Sequence, residues 1–162
     1  MKKILAIVLA MAMLLCFASC GNTEEESDGF MENPMVDYEE LASINETCGT
    51  NLVRVPVMGV SDEAFYVVAG DLADYRFSVA GRSYVFRGSK DMEDISGIYE
   101  NGDTLFAGAG DELTYYFSDN YAAARFVIDD VQYVIETSRT GEVEVTEEYF
   151  KGVVEEIMSV MQ

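Results

Sequence analysis

The chain has 162 residues, 49% of them hydrophobic, with 10 Lys+Arg against 30 Asp+Glu and a formal charge of −20. That length suits one domain with an ample core. Such acidity excludes nucleic acid, whose phosphates need clustered Lys and Arg, and it opposes electrostatic docking on anionic lipid. Histidine is absent, which excludes Ser-His-Asp and Cys-His catalysis and removes the usual zinc ligand.

Met1-Lys2-Lys3 is a short positive start, and Ile4 to Phe17 is an uncharged apolar run. The small residues Ala18 and Ser19 precede Cys20. Residues 1–19 read as a secretory signal, too short for a transmembrane helix of about 20 apolar residues. Phe17-Ala18-Ser19-Cys20 resembles the lipobox of bacterial lipoproteins, with Phe17 where that family usually has leucine. The resemblance implies cleavage between Ser19 and Cys20 and a diacylglycerol on the Cys20 thiol. It places the chain on the extracytoplasmic face of the cell membrane, lipid-anchored, with the bilayer as a partner. Each buried acyl CH₂ contributes about 0.8 kcal/mol, so two or three long chains hold durably.

Loss of Lys2 and Lys3 with the signal moves the charge from −20 to −22. Residues 20–33 read as the lipidated Cys followed by a flexible acidic tether, GNTEEESDGFMEN. At about 3.3 Å per residue this tether reaches at most roughly 43 Å. Cys16 leaves with the signal and Cys20 carries lipid. Cys48 is then alone, no intrachain disulfide forms, and the fold rests on its core. Asn45 and Glu46 offer Cys48 no cation to lower its pKa, so it reads as a buried thiol at a helix end.

Residues 34–162 read as a single domain. Asp37 and Glu40 form a capping-box-like pair, with Val36 and Leu41 at staple positions. Leu41, Ile44 and Cys48 recur at helical spacing before Gly49, which predicts a helix over 38–48. Leu52, Val53 and Val55 predict a short extended piece. Residues 65–69 predict a strand. Tyr75, Phe77 and Val79 alternate with polar residues, Ala80-Gly81-Arg82 turns, and Tyr84 and Phe86 return as a hairpin. Residues 88–99 read as a loop with a helical-turn option, followed by a short strand at 104–107. Leu113, Tyr115 and Phe117 alternate. Ala122, Ala124, Phe126 and Ile128 then pair across Asp129-Asp130 with Val131, Tyr133 and Ile135. Thr146 caps a last helix with an apolar stripe of Phe150, Val153, Val154, Ile157, Met158 and Met161. Its acidic polar face suits packing on a sheet rather than on lipid. The expected class is α+β: a twisted antiparallel sheet covered on one face by an N-terminal and a C-terminal helix.

Candidate chemistry is thin. Asp91, Glu93 and Asp94, then Asp111-Glu112 and Asp129-Asp130, are acidic groups without calcium-loop spacing and read as solvated. Carboxylate pairs for glycoside hydrolysis carry no weight among 30 acids. Gly108 to Asp111 lacks the lysine and third glycine of a phosphate loop. The tyrosines at 66, 75, 84, 115, 116, 121 and 133 read mainly as core, with an aromatic binding face as the alternative. No catalytic residue, metal site or cofactor is expected, and the ligand-binding residues are unknown.

Asn33-Pro34, Tyr38-Glu39-Glu40, Leu52 through Pro56, Phe86-Arg87 and Asp94-Ile95-Ser96-Gly97-Ile98-Tyr99 occur in that order. In this order they resemble small bacterial lipoproteins and anti-sigma-linked domains of unknown function. The resemblance implies an exported sensory or accessory domain with no assigned reaction. Asp94 or Ser96 is expected to bond backbone N–H groups of a tight loop. The expected function is a non-catalytic binding or sensing module of the envelope, with an unknown protein or small-molecule ligand. The alternatives are a structural accessory subunit docking a membrane complex and a carboxylate-based envelope hydrolase.

Overall fold

The computed structural model describes residues 34–90, 95–100, 103–106, 110–141 and 143–161. Signal, Ser19, Cys20 and tether lie outside the described residues, as do Asp91, Glu93 and Asp94. Asn33–Gln162 forms one compact unit.

The elements run β1 (Met35–Tyr38), α1 (Leu41–Cys48), β2 (Val60–Val68), β3 (Leu72–Val79), β4 (Arg82–Ser89), β5 (Tyr99–Glu100), β6 (Asp103–Thr104), β7 (Thr114–Phe117), β8 (Tyr121–Ile128), β9 (Val131–Ser138) and α2 (Glu147–Met161). Seven strands form one antiparallel sheet in the order β1-β2-β3-β4-β9-β8-β7. The fold is α+β, with a twisted sheet flanked by two helices, one near each terminus, as the sequence predicts.

Alternation explains the packing. Phe65, Val67, Tyr75, Phe77, Val79, Tyr84, Phe86, Ala122, Ala124, Phe126, Tyr133 and Ile135 share one sheet face and are all buried. Their rings form a ladder, with Phe77 and Tyr84 stacked at 5.3 Å and Phe126 and Tyr133 at 5.5 Å. Cross-strand aromatic pairs of this kind are a main source of sheet stability. Leu41, Ile44 and Cys48 of α1 and Phe150, Val153, Val154, Ile157 and Met161 of α2 join this core.

The boundaries differ from expectation at several places, and the strand expected at 65–69 begins earlier, at Val60. Residues 35–38 form a strand, which takes Tyr38 out of the expected helix, because they pair with Phe65–Val68 along the sheet edge. The helix then starts at Leu41 behind Glu40, which makes no side-chain cap bond, and Val36 is exposed rather than stapled. Gly49 ends α1 in the left-handed conformation, φ 63°, as predicted. Residues 51–56, expected as a short extended piece, lie outside any strand; Asn45 accepts the Leu52 N–H on Oδ1 and donates to the Leu52 carbonyl, so a side chain stands in for a ladder. The strand expected at 104–107 is only β6, paired with β5, with Leu105 and Phe106 in a turn. Asp129 and Asp130, φ 52° and 62°, make the two-residue turn between β8 and β9. Thr146 caps α2, accepting the Tyr149 N–H at 3.2 Å.

Topology then dictates one more feature. β4 lies mid-sheet and β7 at its edge, so the connection between them must cross the second face. Its residues Ile95 and Phe106 bury themselves against Leu72, Ala123 and Val134.

Candidate functional site

Below this arm the second face carries charge where a core would carry hydrocarbon. Register places Asp37, Tyr66, Asp74, Arg87, Val134, Arg125 and Thr114 in one row across all seven strands. Arg76 and Glu136 follow in the next row, separated by Val85. Asp74 is 1% exposed. Its carboxylate accepts Arg76 Nε at 2.7 Å on Oδ1 and Arg87 Nε at 2.9 Å on Oδ2. Arg76 also lies over the Tyr66 ring, 4.9 Å from its centre. The bond to Asp74 pushes the pKa of Arg76 further up.

Arg87 joins sheet to arm. Its Nη1 contacts Glu136 Oε1 at 3.0 Å and donates to the Ser96 carbonyl at 2.6 Å and the Ile95 carbonyl at 3.3 Å. Ser96 Oγ accepts the Ile98 N–H at 3.2 Å, which is the tight-loop bond expected of Asp94 or Ser96. Arg125 donates through Nη1 to the Gly110 carbonyl, fastening the far end of the same connection.

A cleft of about 370 Å³ opens beside this junction, lined by Arg87, Ser96, Gly97, Ile98, Tyr121 and Glu136. Tyr121 is the exposed ring at its mouth. The cleft is polar, yet Asp74 and Glu136 are both held by arginine. This is ion pairing that fastens an arm, not a free acid and base. Gly97 has φ +67°, and a Cβ there would lie 3.1 Å from Arg87 Nη1. Gly97→Ala is expected to cost about 1–3 kcal/mol through backbone strain and displacement of Arg87. Urea unfolding measures the loss, and faster amide exchange at Ile98 locates it.

No family model, curated protein or solved structure matches this chain.

Other recesses lie elsewhere among the described residues. One of about 170 Å³ lies at the hairpin ends among Gly81, Arg82, Ser83, Ser138, Thr140, Gly141 and Val143. One of about 660 Å³ runs along α2, lined by Glu147, Glu148, Lys151, Gly152 and Glu155. Cys48 is buried, and burial followed by the charge of Asp71 pushes its thiol pKa up, away from reactivity. Among the described residues no group of three or more His, Cys, Asp or Glu could hold a metal. Asp111 and Glu112 are exposed, as a solvated pair should be. Among the described residues no helix is long and apolar enough to cross a membrane.

Of the seven tyrosines singled out, Tyr75, Tyr84 and Tyr133 are fully buried beneath the helices. Tyr66, Tyr115 and Tyr116 are half-buried, and Tyr121 is exposed. Asp74 and Arg125 carry no signal in the sequence, since charged residues in alternation read as a wet face, and Arg87 enters only through the resemblance.

Proposed function

We propose that this chain is a membrane-anchored extracytoplasmic lipoprotein whose acidic domain is a non-catalytic binding or sensing module of the cell envelope. The observation that carries the anchor is the run from Lys2-Lys3 through the apolar stretch to Phe17-Ala18-Ser19-Cys20. The compact unit starts directly after the acidic stretch that serves as tether. The binding role rests on two open recesses of several hundred Å³, within the size range of ligand clefts. Asp74 and Glu136 on the second face are committed to arginine, and Cys48 is buried, which favours recognition over chemistry.

Metabolic labelling with a fatty acid tests the anchor. The wild-type chain should take label and fractionate with membranes. Cys20→Ala should take none, and should appear in the medium or remain as unprocessed precursor. Equal labelling of both chains overturns the lipid assignment.

A further inference from the structure

The outer edge of β7 has an unusual setting. The Ser118 N–H donates to the Tyr121 carbonyl at 2.9 Å, closing the turn through Asp119 and Asn120. Antiparallel ladders bond alternate pairs. The pairs Phe117–Ala122 and Tyr115–Ala124 are therefore the non-bonded ones, and the backbone N–H and C=O of Phe117 and Tyr115 point off the sheet. Among the described residues no strand pairs with this edge. Proteins normally blunt such edges, because they template pairing with another chain.

The side chains mark the kind of chain that fits. The rings of Tyr115 and Phe117 stack at 6.0 Å, and both stand edge-on to Phe150 of α2. Lys151 Nζ lies over them, 5.7 and 5.2 Å from the ring centres. The chain's own Lys151 thus holds this aromatic face, and its side chain links the β7 edge to the α2 recess. Lys151 also lines the α2 recess with Glu147, Glu148 and Glu155. Asp111, Glu112 and Asp119, all exposed, flank β7 at its two ends.

Gly152 is the second, independent pointer. It sits inside a helix, where glycine is a poor former. A Cβ at this position would meet nothing within 4 Å. The fold's own packing does not ask for a glycine there. Bare backbone on the wall of a recess suits close approach from outside.

We propose that the outer edge of β7 takes an extended, lysine- or arginine-bearing segment of a partner protein as an added strand, with its basic side chains entering the acidic recess beside Gly152. Main-chain bonds to Tyr115 and Phe117 supply the pairing, and the acids select the partner. A second copy of the chain is the wrong occupant, because it would bring the same acids together within a Debye length of about 8 Å. The inference rests on the binding-module reading but not on lipidation, so loss of fatty-acid label and loss of peptide binding are separate failures.

The test uses the full chain in neutral detergent and a fluorescent peptide alternating Lys and Val. The Lys peptide should bind and slow amide exchange at Tyr115 and Phe117, while a peptide alternating Glu and Val should not bind. Phe117→Pro, which removes an N–H that bonds nothing in the sheet, should weaken binding about tenfold or more. Gly152→Leu should do the same while raising Tm, so the loss is not unfolding. Equal binding of the two peptides, no binding, no slowed exchange, or full binding by Gly152→Leu overturns the proposal. So does self-association of the chain that Phe117→Pro abolishes.

Discussion

Asp74→Ala should destabilise the domain by about 3–5 kcal/mol, the usual result of removing one partner from a buried ion pair. The loss is large against a total stability of about 5–15 kcal/mol. Asp74 is buried between two guanidinium groups, at 2.7 Å from Arg76 and 2.9 Å from Arg87. The two arginines would fare differently without it. Arg76 has a side chain 40% exposed and would turn to water at little cost. Arg87, 16% exposed, would keep Glu136 and two carbonyls but lose the carboxylate on Nε. The arm should therefore loosen before the sheet does. Denaturant unfolding gives the magnitude, and amide exchange should rise first at Ile98 and Leu105, whose backbones are bonded to each other. An unfolding midpoint within error of wild type would show the row to be dispensable. In a double-mutant cycle with Arg87→Ala, residues in direct contact should couple by about 0.5–3 kcal/mol.

The sequence displays the first face of this sheet and hides the second. Alternation in 75–79, 84–86, 113–117, 122–128 and 131–135 gives five strands and both hairpins, because each buries the same side against the helices. The stripe of α2 and the Gly49 stop are legible for the same reason. The failures are non-local. Residues 35–38 look like a helix start, yet pairing with Phe65–Val68 decides their conformation. Asp74, Arg87 and Glu136 look like wet-face residues because each lies between buried neighbours. Only the strand order, which sends the β4–β7 connection over that face, makes them interior. A charge pattern contains no information about what will cross above it. The β7 edge is equally illegible, since nothing in TYYF says that its outer side stays open.

Above pH 10 the domain should lose stability at about 1.4 kcal/mol per pH unit for each buried tyrosine that stays protonated. Burial pushes the hydroxyl of Tyr84 up to about 12, with the Tyr149 charge adding to it and Arg82 opposing. Tyr75 is pushed higher still, first by burial and then by the Glu63 carboxylate, which accepts its proton at 2.6 Å. Tyr133 is raised by burial, opposed by the Asn51 N–H. In the unfolded chain all three ionise near pH 10. The folded state therefore holds more protons between pH 10 and each raised value. Its advantage is complete below pH 10 and falls as pH rises through that window. Tyr75 and Tyr84 acting together remove about 3 kcal/mol per unit, a large share of an ordinary domain's stability, and Tyr133 adds in the same direction. Urea midpoints taken from pH 9 to 12, with phenolate absorbance followed in parallel, should show this slope. Tyr84→Phe separates the cause from general alkaline damage. The Tyr84 hydroxyl is buried with no hydrogen-bond partner among the described residues, so its removal should be neutral or stabilising at pH 7. The same change should flatten the alkaline slope by one tyrosine's share. Tyr75→Phe should cost stability at pH 7 instead, because it takes away the proton that Glu63 accepts. Equal alkaline slopes for wild type and Tyr84→Phe would mean that burial of these hydroxyls is not what couples the fold to pH.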